Sequence, residues 1–137
     1  MTNYLVDAGP LIGLLNKSDQ WHPWSAQALA ILDEPLATTE AALTEACHRL
    51  QKLRPALQIL MLMIADGRLV IQSQLPDQAV RIAELLDRDS AMDLADATLV
   101  VLSEQNPRAK LITLDRRDFS RYRRADGSLV PSLMPPA

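Results

Sequence analysis

The chain has 137 residues, 48% of them hydrophobic and 23% charged, and its 14 Lys and Arg against 17 Asp and Glu leave a net charge of -3. These values describe one globular domain, long enough to bury roughly two-thirds of its extended-chain surface, and they exclude a disordered chain or an overall polycation. A single cysteine, Cys47, excludes a disulfide framework and a thiolate metal site, and its lack of a partner points to a reducing compartment.

The opening MTNYLVDAGP has no basic leader pattern and already carries an acid at position 7, so it reads as a first strand over 3–6. Pro10 suits the start of a short helix over 11–16. Residues 21–32 repeat apolar side chains at helical spacing (Trp24, Ala28, Ile31, Leu32). A second strand is expected over 34–38, followed by a helix capped by Thr38 or Thr39 and running to about Leu53. Pro55 opens another helix through Ile64, stopped by Asp66-Gly67, and RLVIQ (68–72) reads as the third strand.

Leu75-Pro76-Asp77 introduces a helix with Ala79, Ile82, Ala83 and Leu86 on one face. Ser90 is the expected cap of the next helix, which runs through Glu104 and ends at Asn106-Pro107. Residues 110–114 form the fourth strand, 116–124 a short basic helix, and Leu129-Val130 an edge strand. The tail 131–137 holds three prolines and is expected to be irregular.

The longest apolar run, Leu57 to Ala65 interrupted by Gln58, falls far short of the roughly 20 residues of a membrane helix, so a cytoplasmic chain without a membrane segment is expected. Strands alternating with helices predict an α/β fold: a three-layer α/β/α sandwich around a mostly parallel sheet of four to five strands, with 1–137 a single domain. Ligands of such folds bind outside the carboxyl ends of the strands. Asp7 and Asp115 each follow a strand and belong on that rim.

Taken singly, most of the acids have a local explanation. Asp7 and Asp115 can cap the helices after them, Asp115 with Asp118 in a capping box. Glu45 can pair with Arg49, and Asp93 completes an S-x-x-D box with Ser90, the reading favoured for it. Asp96 has no such job, because it is placed more than a turn inside a helix that continues as Ala97, Leu99, Val100, Val101 and Leu102. Together these acids predict a convergent carboxylate cluster. Three or four carboxylates in one place take up protons unless a divalent cation neutralises them, and an all-oxygen set suits Mg²⁺ or Mn²⁺ rather than zinc. Such ions typically work on phosphates.

Half of the basic residues (Arg108, Lys110, Arg116, Arg117, Arg121, Arg123, Arg124) fall within 108–124, and Arg49, Lys52 and Arg54 form a smaller group, a pattern a phosphate-backbone footprint would leave. His22 and His48 read as packing and solvated residues, and Trp21 and Trp24 as core or partner contacts.

The segments LVDAGPLIGLL, TTEAALTEACHRL, DLADATLVVLSE and LITLDRRDF, in this order and spacing over 3–122, resemble the PIN-domain family and its VapC-type toxins. The resemblance implies a metal-dependent endoribonuclease acting as the toxin of a type II toxin-antitoxin pair and leaving a 5′-phosphate and a 3′-hydroxyl. By position it implies Asp7, Glu45, Asp96 and Asp115 as catalytic acids. Asp7, Asp96 and Asp115 would hold Mg²⁺ or Mn²⁺, and Glu45, preferred over Glu40, would orient the attacking water. Asp93, Thr113 and Asp118 are the accessory residues, and Arg116, Arg117 and Arg121 would grip RNA beside the site. A homodimer and a cognate antitoxin are the expected partners.

Two other small α/β folds with clustered acids lack their chemistry here. A receiver-type phosphoacceptor domain needs an acidic pair after the first strand and an Asp after the third, where this chain has Ala8 and Gln72-Ser73-Gln74. A haloacid-dehalogenase-like phosphatase needs a second Asp where Gly9 stands. A PIN-like binding module without turnover is the remaining alternative.

Overall fold

The computed structural model describes residues 2–137. Five strands, β1 (Tyr4–Val6), β2 (Leu36–Thr38), β3 (Leu69–Ile71), β4 (Lys110–Ile112) and β5 (Ser132–Leu133), pair in the order β3-β2-β1-β4-β5, every pairing parallel. The helices are α1 (Ala8–Leu15), α2 (His22–Ala30), α3 (Glu40–Arg49), α4 (Arg54–Ala65), α5 (Ala79–Arg88), α6 (Leu94–Gln105) and α7 (Arg116–Phe119). The expected α/β sandwich is present, with all five strands parallel. None of the described helices is long and apolar enough to cross a membrane.

Side chains alternate across the strands and build two cores. Leu5, Ala37 and Leu111 pack with Ile82 and Leu85 of α5 and with Ala97 and Leu99 to Leu102 of α6. Val6, Leu36, Leu69 and Ile112 face the other way, onto Leu11 of α1, Ala46 of α3 and Leu60 of α4. A sheet covered on both faces has no polar side, which is why its strands are short apolar runs. The α6 helix is buried along the whole stretch from Asp96 to Ser103, so its apolar residues surround the axis instead of forming one stripe.

The chain builds β1, β2 and β3 outward in one direction, then returns to place β4 on the other side of β1. The strand order therefore reverses between β1 and β4, and this switch point is where open parallel sheets open a crevice at their carboxyl ends. Register sets the crevice: Val6 pairs with Ile112, and Asp7 N–H donates to Ile112 O at 3.0 Å. Asp7 thus leaves β1 directly beside Thr113.

Several boundaries differ from the sequence expectation. α1 begins at Ala8 rather than Leu11, because Asp7 accepts a hydrogen bond from Ala8 N–H as its cap. α3 ends at Arg49, short of Leu53. On α5 the buried face is Ile82 and Leu85, while Ala83 and Leu86 are exposed. α6 starts at Leu94 with Asp93 as cap, its Oδ1 accepting from Asp96 N–H at 2.8 Å; Ser90 has no capping role. Asp96 is consequently in the first turn of α6, not deep within it. α7 has only four residues. The last strand lies in the proline-bearing tail at Ser132–Leu133, where Leu111 N–H and Thr113 N–H donate to Pro131 O and Leu133 O. β5 is an edge strand, and Pro131 stands just before it, offering the ladder its carbonyl, a place where a sheet tolerates proline.

The second half of α1 is braced by α2 at a close approach. An added Cβ on Gly13 would strike Ser25 Oγ and stand 3.2 Å from Trp21 O, and Ser25 Oγ is buried without a hydrogen-bond partner among the described residues. Gly13→Ala should therefore destabilise the protein by ~1–3 kcal/mol through overpacking. Adding Ser25→Ala should recover much of that loss, because the hydroxyl it removes makes no bond; urea denaturation of the single and double variants measures both.

Candidate functional site

Asp7 and Thr113 form the floor of the crevice. Asp7 is 8% exposed; its Oδ1 accepts from Ala8 N–H at 2.7 Å, and its Oδ2 from the Thr113 hydroxyl at 2.8 Å. Thr113 Oγ1 in turn accepts from Asp115 N–H at 3.1 Å, so one hydroxyl ties the acid after β1 to the acid after β4. Asp115 caps α7, accepting from Asp118 N–H at 3.0 Å.

Asp96 reaches the same place from the first turn of α6. It is 9% exposed, and its Oδ2 accepts from the Tyr122 hydroxyl at 2.6 Å. Asp96, Asp115 and Asp118 can bring one carboxylate oxygen each within 4.8 Å of one another. Asp7 is not in this close trio, though its charge acts on Asp96. Glu45, half-buried on α3, is in the field of Asp93 and Asp115. The cap of α3 holds its helix to α6 through Thr39 Oγ1 and Thr98 Oγ1, 2.8 Å apart.

These carboxyls share one electrostatic problem. Burial lifts Asp7 from 3.8 to about 6, against the Thr113 and Ala8 hydrogen bonds, and Glu45 and Asp115 push it further up. Burial raises Asp96 to about 7; the Tyr122 bond opposes this, while Asp7, Asp93 and Asp115 add to it. Glu45 is raised by burial and by Asp93, with Arg49 opposing. Asp115 is raised mainly by burial, and the Asp118 carboxylate adds to that. Among the described residues, no Lys or Arg forms an ion pair with Asp7, Glu45, Asp96 or Asp115. A set of oxygen donors, desolvated and unmatched by a basic side chain, fits a hard divalent cation such as Mg²⁺ or Mn²⁺.

The remaining sequence candidates divide clearly. Asp93 is an exposed cap. Glu40 is exposed at the start of α3. His22 Nδ1 is 2.7 Å from Gly13 O, a packing contact, and His48 is exposed. Arg116 donates to Pro135 O and holds the tail. Arg121 bridges Asp118 at 2.7 Å and Asp89 at 3.0 Å. Of the three arginines expected to hold RNA, Arg117 alone is exposed with no side-chain partner among the described residues. Sequence reasoning gave Tyr122 no role at this site; it lies 26 residues from Asp96, and no local spacing links the two.

Replacing the buried charge at Asp7 should stabilise the cation-free protein. An acid whose folded pKa is raised weakens the fold as pH rises from its unfolded value of 3.8 through about 6. Asp7→Asn keeps an acceptor for Ala8 N–H and removes the charge. In EDTA near about pH 8 it should be more stable than wild type by ~1–3 kcal/mol, and the gain should vanish below about pH 4, where the wild-type acid is neutral in both states. Thermal melts across that pH range measure it.

No family model matches the sequence, and no curated protein does. Among solved structures, the chain is similar to VapC20 of Mycobacterium tuberculosis, described as a Sarcin-Ricin loop cleaving toxin, with 17% identity and a TM-score of 0.70 over 80% of this chain and 87% of that one. It is also similar to a chain of a toxin-antitoxin complex from Klebsiella pneumoniae, with 24% identity and a TM-score of 0.66 over 87% of this chain and 92% of that one. The five-stranded parallel sheet and its helices are therefore a PIN-like fold, the fold of a VapC toxin.

Proposed function

We propose that the protein is a divalent-cation-dependent endoribonuclease and the toxin of a toxin-antitoxin pair. The observation that carries this reading is the convergence of Asp96, Asp115 and Asp118 at the β1/β4 switch point, with the buried Asp7 linked to Asp115 through Thr113 and with Asp7, Asp96 and Asp115 unmatched by a basic side chain among the described residues. The likeness to the VapC20 structure and to the Klebsiella toxin-antitoxin complex supports the toxin assignment and a cognate antitoxin as partner. A homodimer in the cytoplasm is the assembly that accompanies this reading.

Asp7, Asp96 and Asp115 would hold Mg²⁺ or Mn²⁺, with Asp118 beside them. The bound ion supplies positive charge to the scissile phosphate and eases deprotonation of water. Thr113 keeps the Asp7 carboxylate facing the crevice through its 2.8 Å hydrogen bond. Glu45, half-buried with its affinity for protons raised, orients the attacking water and accepts its proton at the carboxylate. The water oxygen adds to phosphorus, the P–O3′ bond breaks, and a 5′-phosphate and a 3′-hydroxyl result. Arg117, exposed at α7, gives the RNA backbone a cation beside the cluster.

Asp7→Asn and Asp96→Asn should each lower Mg²⁺-dependent RNA cleavage by at least about a hundredfold, the minimum expected from losing several kcal/mol of transition-state stabilisation, while circular dichroism stays that of the wild type. Activity retained by either folded variant overturns the nuclease reading. Mn²⁺ binding without cleavage of any RNA would favour a binding module instead.

Arg117→Ala should weaken RNA binding and reduce the slope of log affinity against log salt by about 0.7, the share of one phosphate contact on a single strand. A salt titration on the Asp96→Asn background, where cleavage does not interfere, measures the slope. An unchanged slope removes Arg117 from the interface.

A further inference from the structure

We propose that Tyr122 is the positioning residue for Asp96, its hydroxyl fixing the carboxylate in the orientation that a bound Mg²⁺ or Mn²⁺ requires, with Arg121 bracing the tyrosine ring. This deepens the reading of the carboxylate cluster as a cation site and rests on it. The Tyr122 ring is 2% exposed. The edge-to-face contact with Phe119 has centroids 5.1 Å apart and planes at 87°. The Arg121 guanidinium lies over the ring, 5.0 Å from its centroid. Held between these two groups, the ring carries its hydroxyl to Asp96 Oδ2 at 2.6 Å, the short distance typical of an O–H donor on a carboxylate.

A buried tyrosine needs a partner for its hydroxyl, and a backbone carbonyl would serve if packing were the whole purpose. Tyr122 instead engages a desolvated acid. With Oδ2 occupied, Oδ1 is the Asp96 oxygen left without a hydrogen bond among the described residues. The neighbouring residue treats a second member of the trio in the same way, Arg121 Nη1 holding Asp118 Oδ1 at 2.7 Å. Two consecutive residues thus restrain two of the three acids whose oxygens converge within 4.8 Å. Arg121 is fixed from outside by Asp89, which follows α5, at 3.0 Å. Groups that orient metal ligands in this way contribute to affinity without touching the ion.

The test is calorimetric titration of Mn²⁺ into wild type and Tyr122→Phe, with melts of both in EDTA. We expect Tyr122→Phe to melt as a folded protein and to bind Mn²⁺ about tenfold more weakly, the low end of what loss of such a partner costs. Equal affinity in the folded variant overturns the positioning role and leaves the nuclease reading intact. A wild type that binds no Mn²⁺ overturns both.

A second measurement avoids any folding defect in the variant. The chain has two tyrosines, Tyr4 and Tyr122, so 3-fluorotyrosine labelling gives two fluorine signals. Adding Mg²⁺ should shift the Tyr122 signal with the calorimetric midpoint and leave Tyr4, at the amino end of β1, in place. A Tyr122 signal unmoved at saturating Mg²⁺ overturns the proposal.

Discussion

The structure depends on keeping ionisable carboxyls at the dry end of a parallel sheet. Asp7 pays for its position with a pKa raised from 3.8 to about 6, ~3 kcal/mol of preference for the neutral form at 1.36 kcal/mol per unit. Two hydrogen bonds already oppose that rise. A helix N-terminus adds only about 0.3–1 kcal/mol in favour of an acid. Capping therefore cannot account for an ionised Asp7, and the same comparison holds more strongly for Asp96, lifted to about 7. A charge-matched partner is what both carboxyls lack, and their oxygen-only surroundings have the chemistry that a hard cation fits.

Local and collective roles coincide in these residues. Asp7 caps α1, Asp93 caps α6 and Asp115 caps α7, so three helices begin at the crevice with an acid at the first position. The caps fix where each helix starts, and the helix starts fix where the acids stand. Asp96 shows the coupling best. The Asp93 cap sets α6 to begin at Leu94, which brings Asp96 into the first turn and onto the switch point. With Ser90 as cap, the same acid would sit a turn deeper in the helix.

Strands and crevice were legible because they follow from short-range rules. Apolar runs ending in an acid placed Asp7 and Asp115 at strand ends, and alternation with helical patterns implied the parallel sheet. The start of α6 differs from expectation because Ser90 and Asp93 share the spacing of a capping box with Asp93 and Asp96, and in the structure it is Asp93 Oδ1 that accepts from Asp96 N–H. β5 falls elsewhere than expected because proline argues against strand except beside an edge, and Pro131 stands just before the edge strand. Tyr122 was invisible as a site residue, since its contact with Asp96 joins distant segments and depends on the turn after α7.

The basic run at 108–124 illustrates how far composition alone can mislead. Seven cations within seventeen residues read as a polyanion footprint, yet several are consumed inside the protein. Arg116 fastens the tail at Pro135, Arg121 spans Asp118 and Asp89, and Arg124 bonds Ser103, Pro107 and Ser128. The internal duties have a common logic. Each of these guanidinium groups ties the segment after β4 to another part of the fold, and the planar fork of arginine suits it to several partners at once. A segment that must hold Asp115, Asp118 and Tyr122 with only a four-residue helix of its own needs such ties, because so short a helix cannot fix its residues unaided. Three of the seven cations, Arg116, Arg121 and Arg124, thus hold the segment that carries Asp115 and Asp118 to the rest of the fold, while Arg117 stands exposed with no side-chain partner among the described residues.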